Sequence, residues 1–179
     1  MKILKRIFIG ILVLFALLLI VALFVKKEYT VEREVTIAKP KQEVFNYIKL
    51  LKNQSNYSVW VKMDPNAKME YKGTDGTVGF VSSWDSENKN VGKGEQEIKQ
   101  ITEGERLDLS LHFIKPFEGF ADAYMTTAAI DSNQTKVKWG FHNKMKYPLN
   151  IICLFMNVEK MIGKDLGDGL NNLKVVLEK

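Results

Sequence analysis

PLNIICLFMNVEKMIGKDLGDGLNNLKVVLE, residues 148–178, is the stretch that decides the fold. Ile151, Phe155, Val158, Ile162, Leu166, Leu170, Leu173 and Leu177 recur at three- and four-residue spacing, which puts them on one stripe of a single long helix. A helix with one apolar stripe needs a second layer to cover it. The residues upstream supply that layer.

Working back from the helix, Met69–Tyr71, Val78–Trp84, Gly92–Ile101, Arg106–Phe113, Phe120–Ile130 and Lys136–Phe141 alternate as strands with one buried face. Thr74-Asp75-Gly76, Glu87-Asn88-Lys89-Asn90, Glu103-Gly104-Glu105, Lys115-Pro116 and Asp131-Ser132-Asn133 carry the chemistry that reverses a chain. Short reversals between successive strands predict an antiparallel meander. Further upstream, Tyr29, Val31, Val35 and Ile37 alternate with Thr30, Glu32, Glu34 and Thr36, giving a first strand. Pro40 then opens a helix carrying Val44, Phe45, Tyr47, Ile48 and Leu51, followed by a short second helix from Tyr57 to Val61. Strands and helices do not alternate, so the class is α+β.

Ile7–Val25 is an unbroken apolar run between Lys2, Lys5 and Arg6 on one side and Lys26 and Lys27 on the other. At roughly 1.5 Å per residue it spans the ~30 Å hydrocarbon core of a bilayer. A cleaved signal peptide has a shorter apolar stretch, of ~7–15 residues, and a small-residue cleavage site, which is not evident here. A lipoprotein signal would need a cysteine just after the run, and the single cysteine is Cys153. The expected organisation is a single-pass anchor over residues 1–27 and one domain over residues 28–179, with the domain placed outside the cytoplasm. Basic residues flank both ends of the run, and Arg33, Lys39 and Lys41 follow soon after on the domain side, so charge alone does not set the side.

The formal charge of +5 falls to +2 once the three basic residues before the apolar run are set aside. Lys and Glu alternate closely in GKGEQEIK and VEREV, as on solvated strand faces. A nucleic-acid reader concentrates its basic residues on one face, so no nucleic-acid partner is expected. One cysteine forms no internal disulfide, and Cys153 within IICLF reads as a buried structural thiol.

VEREVTIAKPKQEVFNYI, Trp60, VGFVSSWDS, VGKGEQEI, LHFIKPFEG, KVKWGF and IGKDLGDGLNNLK, in this order, resemble the START-like (SRPBCC) superfamily and within it the bacterial polyketide cyclase/dehydrase and lipid-transport group. The resemblance runs from about Val31 to the C-terminus. It implies a Bet v 1-like helix-grip fold, in which a curved antiparallel sheet wraps the long C-terminal helix and leaves an apolar cavity between them. That superfamily includes cyclases and dehydratases beside carriers and receptors that do no chemistry, so the fold assigns no activity.

Strand alternation turns Val78, Phe80 and Trp84, Gln96 and Ile98, Leu107, Leu109, Leu111 and Phe113, and Val137, Trp139 and Phe141 toward the helix. The candidate ligand contacts are Trp60, Phe80, Trp84, Gln96, Ile98, Leu109, Leu111, Phe113, Trp139, Phe141, Phe155 and Met161, with Trp60 at the cavity mouth. The alternative for each is a solid core, because pattern alone does not reveal a void. Met125, Met145, Met156 and Met161 suit irregular core gaps or an adaptable wall. Gly163, Gly167 and Gly169 each cost a helix about 1 kcal/mol relative to alanine. Close helix–sheet packing, a kink or room for a ligand would account for them.

Other chemistries lack their residues. His112 and His142 alternate outward, and no HExxH or paired-cysteine spacing marks a metal site. Gly73, Gly76 and Gly79 read as a hairpin turn, and Gly163-Lys164 is followed by Asp165, not the hydroxyl residue of a phosphate loop. Asp122 with Tyr124 is the one acid/base pair near a cavity, and it reads as solvent-facing. No catalytic residue, metal or cofactor is assigned. The leading expectation is non-catalytic binding of a lipid, isoprenoid or polyketide-like molecule. A cyclase or dehydratase acting on such a ligand and a membrane-anchored protein-interaction module stand as alternatives, and the oligomeric state is open.

Overall fold

The computed structural model describes residues 2–155 and 157–179. Helix α1 covers Lys2–Phe24 and carries the apolar run on a surface exposed all round, with only Ala22 fully covered. Strand β1 (Glu28–Ile37) follows, then α2 (Lys41–Lys49), a 3-10 turn at Leu51–Asn53, α3 (Gln54–Tyr57) and α4 (Val59–Met63). The meander runs through β2 (Lys68–Lys72), β3 (Val81–Asp85), β4 (Lys93–Thr102), β5 (Arg106–Lys115), β6 (Gly119–Ala129) and β7 (Thr135–Lys144). A 3-10 turn at Leu149–Ile151, α5 (Ile152–Phe155) and α6 (Val158–Leu177) complete the chain.

All seven strands form one antiparallel sheet in the order β1-β7-β6-β5-β4-β3-β2. Register shifts between β4 and β5, with Ile114 of β5 extra opposite Lys93/Gly94 and Lys99 of β4 extra between Ile98 and Gln100, bend the sheet. Gly104 turns β4 into β5 at a φ of 72°, which a side chain would resist. Leu166, Leu170, Leu173 and Leu177 of α6 are buried on the concave face against Val31, Ile37, Val137 and Trp139. A second apolar cluster, Leu51, Phe80, Ile98, Leu107, Leu109 and Ala123, closes the far side.

The structure departs from the sequence reading in three places. The C-terminal helix is not continuous from Pro148: Asn157 caps a fresh start, its side chain accepting from the Lys160 amide at 2.9 Å. The preceding segment is instead drawn aside by Asn150, which bonds the end of α1, so Phe155 leaves the buried stripe; Met156 lies outside the described residues. The strand expected from Val78 begins at Val81, because Gly76 and Gly79 at φ 78° and 86° curl the chain through successive turns and leave Val78 61% exposed. The second helix divides at Ser58, whose extended ψ of 129° separates α3 from α4.

Two of the helix glycines have close neighbours. A Cβ on Gly169 would stand 2.9 Å from Trp139 Cζ3, and one on Gly163 would collide with the Arg33 guanidinium that lies across the helix. Gly167 meets nothing nearer than Arg33 Cγ at 3.9 Å.

Candidate functional site: an apolar cavity beneath the C-terminal helix

Between the two apolar clusters the sheet and helices leave a cavity of about 370 Å³. Its floor is the concave face of β4–β7, with Gln96, Leu109, Leu111, Phe113, Ala123, Trp139 and Phe141. Ile162 and Leu166 of α6 form one wall, Met69 and Trp84 of β2 and β3 the opposite one, and Gln54, Ser58, Trp60 and Val61 of α3 and α4 the roof. The mouth lies among Asp64, Pro65, the Lys89–Val91 loop and the Lys115–Phe117 turn.

Aromatic rings hold these walls in place. Trp60 meets Trp139 edge to face at 5.8 Å and Tyr57 does so at 5.7 Å, while Trp84 meets Phe113 at 6.2 Å. Such pairs resist sliding because ring edge and ring face carry opposite partial charge. Trp84 also lies over Gly94, where a Cβ would stand 2.5 Å from the ring, and its indole N–H donates to the Val91 carbonyl at 3.2 Å.

The interior holds few polar groups. Gln96 Nε2 donates to Gln54 Oε1 at 2.7 Å, and both side chains are buried, as is Ser58 beside them. Tyr57 is buried behind the roof with its hydroxyl directed at Met125 Sδ, 3.7 Å away, and burial pushes its phenol well above the ordinary range. It is a neutral donor at any physiological pH. The charged lining residues, Asp64, Lys89 and Lys115, are all at the mouth. Among the described residues, no cluster of His, Cys, Asp or Glu has the makings of a metal site. An amide pair and a hydroxyl in an apolar shell can orient a neutral ligand. They supply no obvious proton donor and acceptor of matched strength.

Of the twelve sequence candidates, Trp60, Trp84, Gln96, Leu109, Leu111, Phe113, Trp139 and Phe141 border the cavity. Phe80 and Ile98 do not: Leu51 descends from the helices and seals them into the second cluster, at 1% and 0% exposure. Met161 points outward at 54% exposure, a helical step of one residue away from the inward Ile162. Phe155, at 75%, sits beyond the helix break on the outer surface. Gln54 and Ser58 lie outside the strand alternation from which most of the wall was predicted, in the helical segment before Trp60. Leu51, Gln54, Tyr57 and Ser58 recur at three- and four-residue spacing, the signal that would have found them. His112 and His142 lie on the outer sheet face as expected, His112 stacked on Phe120 at 4.4 Å and His142 beside Thr30 at 2.9 Å.

A seven-stranded antiparallel sheet gripping a long C-terminal helix over a cavity is the Bet v 1-like helix-grip fold. The structure of norcoclaurine synthase from Thalictrum flavum in complex with dopamine and hydroxybenzaldehyde matches with a TM-score of 0.60 at 12% identity, covering 84% of this chain and 87% of that one. The Aha1 dimer from Colwellia psychrerythraea matches at 0.58 and 12%, covering 84% and 96%. Ara h 8.0201 matches at 0.55 and 15%, covering 84% and 97%. At these identities the likeness is one of fold. No protein-family model matches the chain, and no curated protein matches it.

Proposed function

We propose that this chain is a membrane-tethered, non-catalytic binder of a small, uncharged hydrophobic molecule: a lipid, isoprenoid or polyketide-like compound held in the cavity between sheet and α6. The observation that carries the reading is an apolar space of about 370 Å³ whose interior, among the described residues, carries the polar side chains Gln54, Ser58 and Gln96. That volume falls within the ~300–1,000 Å³ of small-molecule sites. Each Å² of apolar ligand surface removed from water would contribute about 25 cal/mol. Leu109, Leu111, Phe113, Trp139, Phe141, Trp60 and Trp84 are the proposed apolar contacts, and Gln96 with Gln54 orients the ligand's one polar group.

Residues 1–27 act as the anchor, residues 7–25 crossing the bilayer, and residues 28–179 form the binding domain on the extracytoplasmic side. In support, α1 carries a helix from Ile3 to Phe24 that is long and apolar enough to span a membrane and is only 6% buried, a test that a signal sequence near the N-terminus also meets. The neighbour solved with dopamine and hydroxybenzaldehyde supports the ligand class by analogy of fold alone.

Native mass spectrometry of the full chain released from detergent tests the reading. A stoichiometric lipophile is expected, and its loss in Ala123→Leu, which fills the cavity floor, ties it to this site. An empty wild-type chain whose melting temperature no lipophile raises overturns the proposal. Recovery of a chemically altered ligand after incubation would replace binding with turnover.

A further inference from the structure

The register of the sheet gathers the cavity mouth and the end of the apolar helix at one end of the domain. β1 leaves α1 at Glu28, opposite Lys144 of β7. One strand over, Asn143 faces Ala121; next, Gly119 faces Phe113, and Lys115 faces Lys93. The Pro116–Phe117 turn and the Lys89–Val91 loop, which border the cavity, therefore share an end with the C-terminus of α1. The chain after β7 emerges there too and is bonded to the helix. Asn150 Nδ2 donates to the carbonyls of Ala22 at 2.7 Å and Val25 at 3.0 Å, and the Tyr147 hydroxyl donates to Leu19 at 3.3 Å.

Beside the charged Asp64, Lys89 and Lys115 of the mouth, this end exposes large apolar side chains. Phe117 is 81% exposed, Phe155 75%, Leu154 57% and Leu149 55%. No residue from Tyr147 to Val158 carries a charge, while Lys144 and Lys146 precede the segment and Lys26 and Lys27 follow α1. Scattered exposed apolar residues need no explanation, but Phe117 at the cavity mouth and the uncharged Leu149–Phe155 segment against α1, both at one end of the sheet, mark a surface that something covers.

The contacts with α1 say what covers it. Leu19 lies six residues before Val25. At ~1.5 Å per residue, that is about 9 Å inside the end of the apolar run. A hydroxyl bonded to the Leu19 carbonyl is thus level with the lipid-facing length of the helix, and the segment that carries it cannot stand clear of a bilayer the helix crosses. Lys26, Lys27 and Lys146 beside the Leu149–Phe155 segment complement anionic headgroups, while Lys144 is paired with Glu28 at 2.6 Å and Glu118, next to Phe117, turns toward His112.

We infer that Leu149–Phe155 and the Pro116–Phe117 turn are two lipid-immersed feet, which seat the cavity mouth on the same bilayer that holds α1 and open the cavity to the lipid phase. The inference rests on the reading of α1 as an anchor and deepens that of the cavity as a ligand site.

The chain's one cysteine, Cys153, lies within the first foot, half-buried with its thiol 3.3 Å from Met145 Sδ instead of fully buried as the sequence suggested, so the unaltered full chain can be labelled and tested. It is reconstituted in phosphatidylethanolamine/phosphatidylglycerol vesicles and labelled with a nitroxide, and power-saturation electron paramagnetic resonance compares collisions with oxygen and with a nickel chelate. Cys153→Ser chains bearing Phe117→Cys, Leu12→Cys or Asn133→Cys report the second foot, the anchor and the far end of the sheet. Oxygen collisions in excess are expected at Cys153, at the Phe117 position and at the Leu12 position, with the sign reversed at the Asn133 position. Nickel access at Cys153 and the Phe117 position with the Leu12 position immersed overturns the seating alone, whereas nickel access at the Leu12 position overturns the anchor with it. Spin–spin broadening with exclusion of both reagents would assign the rim to a protein contact and overturn the lipid. Mass spectrometry of the unlabelled sample reads the cavity separately.

Discussion

Tyr124 on β6 lays its ring over Gly140 on β7 and donates its hydroxyl hydrogen to the Glu32 carboxylate on β1, crossing three strands of the outer sheet face. Arg106 from β5 sits over the same ring at 4.2 Å, and Lys138 bonds Glu32 at 3.2 Å. Gly140 makes the crossing possible, because any Cβ there would occupy the ring's place. The latch is the outer counterpart of α6, which holds β1 from within.

The latch makes a pH prediction. Burial and the Glu32 carboxylate raise the Tyr124 phenol to about 12, and the hydrogen bonds from Tyr124 and Lys138 hold Glu32 below the usual carboxylate range. A group whose folded pKa is raised contributes stability that is complete below its unfolded value of about 10 and fades as pH rises through the folded one. The melting temperature of the full chain in detergent should therefore fall between about pH 10 and 12 by more than that of Tyr124→Phe. Parallel curves for the two would show that the latch contributes nothing to stability.

Gly167 and Gly169 should answer oppositely to alanine. At Gly167 the nearest atom to a new methyl is 3.9 Å away, so Gly167→Ala gains helix propensity and stabilises by about 0.5–1 kcal/mol. At Gly169 the methyl stands 2.9 Å from Trp139, and Gly169→Ala loses about 1–3 kcal/mol through displaced packing. Denaturant titration of both variants measures the difference.

The buried amide pair should show coupling. Gln96→Leu leaves Gln54 without its partner 2.7 Å away, and Gln54→Leu does the converse. Each single change should cost about 1–3 kcal/mol, and the double change less than the two added. Additive losses in a denaturation cycle would mean that the two amides do not act as a pair.

Asn150 should govern how firmly the domain is held to α1. Its amide makes two bonds to the helix end while Oδ1 stays buried without a partner. Asn150→Ala removes the donor and should raise hydrogen exchange across residues 147–155 in vesicles, with exchange in β4–β6 unchanged.

The parts of the fold that were legible in the sequence are those where period and turn chemistry agree. Leu107, Leu109, Leu111 and Phe113 alternate without interruption between Gly104 and Pro116, and the structure keeps all four on the concave face. Reading failed where a side chain overrode the period. Asn157 divides a helical pattern that its apolar residues would continue, because a cap bond is not visible in hydrophobic spacing. Arg33 occupies an inward position of β1, and what admits it is the missing side chain of Gly163, a residue 130 positions away that no local pattern connects to it. The cavity wall on the strands followed from alternation. Where that wall ends, at Gln96 before Ile98, depends on Leu51 descending from another element.

The order of the sheet also sets a timetable. β1 is the first strand to leave the ribosome, yet its neighbour is β7: Tyr29 and the Asn143 that donates to its hydroxyl are 114 residues apart. Throughout most of translation the segment next to α1 is an unpaired strand, and its inner face waits longer still, for α6. Loop closure over such a separation is entropically costly. On the proposed reading of α1 as an anchor, a helix held in the bilayer would restrain one end of that loop, so the tether would also narrow the search by which the domain is finished.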